Sequence, residues 1–584
     1  LWNTMAASGQ YLSFLSEAAS VEYLDVDVET DGGDFRVGQG HITGMSLGYK
    51  KGTDIHAMYF PLFHEYGENV PPYIELALHA LFEKFEGYLV FHNAKFDIPV
   101  LQATGFHVDI HRHYCTMLMA HLLCEHTPRA KSLEACCKHY VSDESFHEKK
   151  KSPQFAAIEK TLGWGAIPAE LMAEYGEQDA RMGIKLFFTL LPKFRKEGLD
   201  TYWQQKMNTT KMLITMERRG VAVDTDKIEH NLSVGYAVMD EIAEELGVNP
   251  SSPKGLKELL LDRLGLPVVR LTGTGKPSFD AKAMEEYEVI LATRGTHEAN
   301  LILEFRGWQK SLSAFYEKYK ELMADDGRVH AHYHMHRTVT GRFSCSKPNL
   351  QQIPKSAKKG WQRDLRTCFI AKPGFTLVSF DYSQLELRIG AAYAKEESLI
   401  EVFADDTRDV FTEMSQALDM SRPDTKTLVY STQYGGGVKR ISDVFGVSSA
   451  KAQQLRTNYF TTYPGFKKIS DLAAHKAKSA GYVKLWTGRR RHFEWPSSEA
   501  RKAFNSICQG GAADIVENAM WRAFTKYDNE ETCRLLMQVH DELVWEIKDD
   551  LVDDLVPKIA HEMADIPGNW GVHFAVDHKV WGTK

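Results

Sequence analysis

The sequence has little of what marks a secreted or membrane-embedded chain. Its eight cysteines are scattered and form no Cys-x-x-Cys pair, which argues against a disulfide framework and fits reduced thiols in a cytosol-like compartment. The tightest group, Cys124, His126, Cys136, Cys137 and His139, lacks the paired spacing of a zinc site and reads as buried thiols beside surface histidines. No apolar run reaches membrane-spanning length and no secretory signal pattern opens the chain, so a cytoplasmic protein without a membrane partner is expected. Fixed-period repeats and low-complexity tracts are missing too, which excludes a solenoid or a disordered chain. Nor is there an excess of positive charge. At a net charge of −8 the protein as a whole does not attract polyanions, and any surface for them must be local.

What is present fills several domains. A chain of 584 residues is too long for one hydrophobic core, and two to four domains are expected. Two local basic stretches stand out: Lys355, Lys358, Lys359, Arg363 and Arg366 against a single Asp364, and Arg489-Arg490-Arg491-His492. Alone, each reads as a solvated loop. Their place beside the motifs below makes them candidate surfaces for a polyanion.

In the N-terminal third, Tyr23-Leu24-Asp25-Val26-Asp27-Val28-Glu29-Thr30 alternates apolar and acidic residues. That is the period of a strand, and it sets Asp25, Asp27 and Glu29 on one face with Leu24, Val26 and Val28 on a core face. Three acids in a row repel one another and need a cation. Tyr88-Leu89-Val90 predicts a second strand, delivering Asp97 in Phe91-His92-Asn93-Ala94-Lys95-Phe96-Asp97. Tyr175 and Asp179, four apart, share a helix face.

Further on, Thr376-Leu377-Val378-Ser379-Phe380 predicts a strand ending in Asp381. An acid there is costly to bury unless it is paired or binds metal. Leu535–His540 and Leu543–Ile547 predict a hairpin with Asp541-Glu542 at its tip, where adjacent acids can converge. Between them Arg422, Lys426, Tyr430 and Tyr434 recur every four residues and form one helix face, with Ser421 as cap and Pro423 in the first turn. A core helix puts Leu or Val in such a stripe. Cations and phenols there suit a triphosphate and a base.

Together, in this order, the N-terminal motifs resemble those of the DnaQ-like (DEDD) proofreading exonucleases. The later ones resemble motifs A, B and C of family A DNA polymerases, the bacterial DNA polymerase I and phage replicative group. That match extends to Thr340-Gly341-Arg342-Phe343-Ser344, to Pro348-Asn349-Leu350-Gln351-Gln352-Ile353-Pro354, and to Arg501, Asn505, Gln509-Gly510 and Ala512-Ala513-Asp514. The resemblance implies a multidomain α/β and α+β chain, an RNase H-like exonuclease domain followed by a right-hand polymerase. It divides into 1–195 exonuclease, 196–330 thumb, 331–395 and 496–584 palm, and 396–495 fingers.

It further implies that Asp27, Glu29, Asp97 and Asp179 hold two Mg²⁺ ions, replaceable by Mn²⁺, while Tyr175 orients the attacking water. Asp381 and Asp541 would hold two more, with Glu542 as a nearby acid. Arg422 and Lys426 would neutralise the triphosphate, Glu386 would exclude a ribose 2′-OH with Gln384 beside it, and Tyr434 would stack near the template base. Tyr430 stands where many relatives have Phe, and its phenol can replace the hydrogen bond of a missing 3′-OH. Arg342, Asn349, Gln351, Arg501, Asn505, Gln509 and His540 would follow the duplex minor groove. The implied partners are primer–template DNA and deoxynucleoside triphosphates, with the chain acting as a monomer. Two departures, Ser431 for the usual Gly and Gln433 for an apolar residue, bear on helix packing and fidelity. The rival readings are a polymerase with an inactive exonuclease and a non-catalytic nucleic-acid-binding protein.

Overall fold

The structure, a computed structural model, describes residues 2–147, 151–354, 360, 365–405 and 407–582, the side chains of 2–8 apart. Lys355, Lys358, Lys359 and Arg363 of the first basic stretch lie outside the described residues.

The alternating segment forms the strand Tyr23–Thr30. It is the centre of a five-stranded sheet in the order Asp54–Pro61, Ile42–Lys51, Tyr23–Thr30, Tyr88–Phe91, His113–Cys115. One neighbour is antiparallel, with Asp27 opposite Ser46, and the other parallel, with Asp25 opposite Val90. A central strand is covered on both faces, so Asp25 and Glu29 are buried along with Leu24, Val26 and Val28. The 28-residue helix Ala169–Lys196 packs across this sheet. Gly183 permits the close approach, because a Cβ there would lie 2.4 Å from Asp25 Oδ1.

A second sheet carries the later acids. Its four strands run in the order Cys533–Val539, Glu542–Lys548, Phe375–Tyr382, Val576–Val580, all antiparallel. Behind it runs the 25-residue helix Ala503–Tyr527. Five helices from Val410 to Ala480 precede that helix. The helices Thr225–Leu246, Ala281–Thr293 and Glu298–Ser311 share an apolar cluster of their own around Leu260, Tyr287 and Ile302.

Helix Asp200–Arg219 fastens the two halves together. Lys206 Nζ lies 2.6 Å from Glu517, and Tyr202 Oη donates to Asp514 at 3.0 Å. The second basic stretch takes part in this clamp rather than facing outward. Arg489 pairs with Asp514 at 3.0 Å, Arg490 with Glu197 at 3.2 Å, and His492 with Glu125 at 3.0 Å. Arg489 and Arg491 are buried. The expectation of a polyanion surface here is therefore corrected: Arg489 is held by Asp514, since an unpaired buried charge costs several kcal/mol, roughly, Arg490 and His492 are taken up by Glu197 and Glu125, and Arg491 lies against His126 and the Phe493 ring.

Candidate active sites

In the N-terminal sheet Asp27, Glu29 and Asp179 each offer an oxygen, all within 4.8 Å of one another. The first two come from one face of a strand, two residues apart, and the third from the helix packed on it. Three hard oxygen donors fit a small divalent cation. Asp97, expected as a fourth ligand from a strand end, lies instead in the first turn of helix Ala94–Ala103, outside this group of three. It is buried close by, and burial and then the charge of Asp27 push its carboxyl well above the usual range, partly opposed by the Val28 amide. Asp25 is pushed up likewise, by burial and then by Asp27, Asp97 and Asp179.

Tyr175, one turn before Asp179, is buried against Phe155 at 5.3 Å and meets Trp164 edge-on at 5.4 Å. Trp164 Nε1 donates to Glu29 Oε2 at 3.1 Å. Burial and then Glu29 raise the phenol of Tyr59. Sequence reasoning missed both residues. For Trp164 the one signal was an aromatic between Gly163 and Gly165, a spacing with no periodic meaning.

In the second sheet Asp381 stands opposite Glu542 on one side and Asp577 on the other. Asp541 is the turn residue just before Glu542, next to His540 in the left-handed region (φ 59°). Asp381 and Asp541 are thus brought to one end of the sheet. Glu542 is engaged elsewhere. Its oxygens accept two hydrogen bonds from Arg366, at 3.0 and 2.9 Å, and Trp581 stacks on that guanidinium. Arg342, expected along the duplex, lies 2.7 Å from Glu386 and 3.1 Å from Asp541. Burial works against its charge, and Asp541 and Glu386 outweigh that. Burial raises the Glu386 carboxyl, Arg342 opposing.

Helix Arg422–Gln433 begins as expected, with Ser421 Oγ accepting from the Asp424 amide at 3.2 Å. Tyr434 is its C-cap. Gly435 follows at φ 74°, where a Cβ would lie 2.2 Å from the Arg501 carbonyl oxygen. Lys426, Tyr430, Tyr434 and Arg501 line a cavity of about 1080 Å³. Burial, then Glu386 and Asp541, push the Tyr430 phenol up to about 12. Arg422 pairs with Asp409, its Nη2 at 2.7 Å, so a phosphate would have to compete with that carboxylate. Gln433 is buried and donates to the Glu386 carbonyl at 3.0 Å, tying this helix to the one that bears Glu386. That bond accounts for a polar residue at an otherwise apolar position.

Among the other expected contacts, Asn349 caps Leu350–Gln352 and Gln351 donates to Gln538 at 2.7 Å. Arg501 donates to the Gly435 carbonyl at 3.2 Å, and Asn505 and Gln509 are half-buried on helix Ala503–Tyr527. Gln384 holds the left-handed N-cap of helix Leu385–Ala394. His540 is exposed beside Asp541.

Comparison with known proteins agrees with this layout. Residues 4–195 match a 3′-5′ exonuclease family model and residues 224–582 that of DNA polymerase family A. DNA polymerase I of Pseudomonas aeruginosa is 29% identical over 583 residues, 93% of this chain and 61% of that protein. The thermostable DNA polymerase I of Thermus aquaticus is 32% identical over 429 residues, 68% of this chain and 50% of that protein. The chain thus spans 61% or less of these relatives' length. The POL domain of Pol1 from M. smegmatis, solved with DNA primer-template and dNTP, shares the fold at a TM-score of 0.82 and 22% identity, over 98% of each chain. An exonuclease domain thus precedes a polymerase domain, and with residues 224–582 matched to its model the chain belongs to DNA polymerase family A.

Proposed function

We propose that the chain is a DNA-directed DNA polymerase that extends a primer 3′-OH with deoxynucleoside triphosphates and proofreads with a 3′-to-5′ exonuclease on the same polypeptide. The observation that carries this reading is that acids far apart in sequence gather on two separate sheets, each beside the partners its motif calls for. In this reading residues 1–195 form the exonuclease domain, 196–330 the thumb, 331–395 and 496–584 the palm, and 396–495 the fingers.

Mg²⁺, with Mn²⁺ as substitute, would be held by Asp27, Glu29, Asp97 and Asp179 in one site and by Asp381 and Asp541 in the other, and would activate the attacking oxygen and stabilise the leaving one. Tyr175 orients the water. Arg422 leaves Asp409 for the triphosphate, Lys426 neutralises it from the next turn, and closure of their helix completes the site around a correct pair. Glu386, backed by Arg342 and seated through Gln433, excludes a ribose 2′-OH. Tyr434 supports the template base, and Arg501, Asn505, Gln509, Asn349, Gln351 and His540 follow the minor groove.

Primer extension from a mismatched end tests the reading. Asp381→Ala should lower extension about a thousandfold, ~4 kcal/mol of barrier, and spare excision. Asp97→Ala should do the reverse, and one variant abolishing both activities would refute two sites. Tyr430 adds a finer expectation: dideoxynucleotides are taken up readily, and Tyr430→Phe lowers that uptake about 10- to 100-fold, the worth of one strong hydrogen bond. Chain termination at equimolar dideoxy and deoxy substrate measures it.

A further inference from the structure

Beside the exonuclease carboxylates stands Trp164, which the proposed reaction does not use, packed with Phe155 and Tyr175. Trp164 meets Phe155 edge-on at 5.5 Å and Tyr175 at 5.4 Å. Lys151 Nζ lies over all three rings, 4.8 Å from Trp164, 5.3 Å from Phe155 and 5.6 Å from Tyr175, and is held by Glu159 at 2.8 Å. Packing alone would be served by a phenylalanine at position 164. What tryptophan adds is one N–H, and it is spent on Glu29 Oε2.

We infer that Trp164 is a positioning residue of the exonuclease site, fixing the rotation of the Glu29 carboxylate for the metal ion shared with Asp27 and Asp179, and that Lys151 holds the indole in place. The inference rests on the exonuclease reading above. A carboxylate with one oxygen hydrogen-bonded presents the other in a set direction, and such outer partners govern a ligand's geometry. The donor matters as much as the bond. Lysine or arginine at this place would neutralise Glu29 and compete with the cation; a neutral indole orients the ligand and leaves its full charge. A cation over the ring face is attracted to the π-system and draws density from the N–H, which strengthens it as a donor.

The test is Mn²⁺ binding, followed by electron paramagnetic resonance on the full chain carrying Asp381→Asn to silence the polymerase site. Trp164→Phe keeps the ring and loses the N–H. It should weaken Mn²⁺ binding about 10- to 100-fold, and in the chain with Asp381 restored excision should recover at high metal while primer extension stays unchanged. That recovery separates lost positioning from a damaged fold. Lys151→Met, which keeps the aliphatic stem, should weaken binding in the same direction by less. If Asp27→Asn abolishes Mn²⁺ binding yet Trp164→Phe leaves it within twofold of the parent, the inference is overturned and the exonuclease site stands. If the parent chain binds no Mn²⁺ that Asp27→Asn removes, the site reading falls and takes the inference with it.

Discussion

The two acidic sites of this chain solve one electrostatic problem differently. In the N-terminal sheet the charges acting on buried Asp25 are those of Asp27, Asp97 and Asp179, all acids, and three of the carboxylates at this site converge within 4.8 Å. In the C-terminal sheet arginines intervene. Arg366 takes both oxygens of Glu542, and Arg342 bridges Glu386 and Asp541. Around Asp25 and Asp97 burial and neighbouring acids push the carboxyls up, with no cation of the protein among the causes. At the other site the protein supplies cations of its own, which substrate or metal must then displace or share. Crowded acids make a cation welcome; acids already paired make its arrival conditional.

Breaking the second arrangement should cost most. Arg366→Met would leave Glu542 buried and unpaired, and denaturant unfolding should show a loss of about 3–5 kcal/mol. Adding Glu542→Leu should recover most of it. If the single variant is as stable as the parent, the arginine does not neutralise that acid and the contrast between the sites collapses. The first arrangement predicts a pH signature in metal-free protein. Asp25 has a folded carboxyl raised above its unfolded value. The folded chain then retains a proton that the unfolded chain has lost, so this group's contribution falls as pH rises from the unfolded carboxylate range, ~4, to the raised folded value. Asp25→Asn should therefore raise the melting temperature in chelator, with a gain near zero in acid that grows toward neutral pH. A gain independent of pH would show that Asp25 is not held up by its neighbours.

The parts of this fold set by short-range period were legible in the sequence. Tyr23–Thr30 could be read from its alternation, Arg422–Gln433 from its four-residue stripe and its Ser421 cap, and the turn at Asp541 from two apolar runs around an acidic tip. What stayed hidden depends on partners distant in the chain. Arg366 and Glu542 are 176 positions apart, and nothing local distinguishes an arginine bound for a buried glutamate from one bound for a phosphate. For the same reason Arg489-Arg490-Arg491 looked like a surface for a polyanion, yet Arg489 and Arg490 proved to clamp Asp514 and Glu197. Charge runs report composition; burial decides which way they face. Gln433 looked like a departure because its acceptor, the Glu386 carbonyl, is a backbone atom that no side-chain pattern reveals.

If Arg342 stands in for a cation beside Asp541, removing it should make the DNA-free polymerase site a better metal site while making it a worse enzyme. Arg342 and Asp541 are each partly exposed, so solvent screening limits the pair to at most about 1 kcal/mol. Arg342→Ala, measured in a chain whose exonuclease site is silenced by Asp27→Asn, should tighten Mn²⁺ binding by roughly two- to fivefold. The same variant should extend primers more slowly, because Glu386 loses the guanidinium that helps to hold it in place. Opposite signs on the two readouts are what a competing cation predicts. Weaker metal binding together with slower extension would instead make Arg342 part of the metal site's support, and the two acidic sites would then differ in degree rather than in kind.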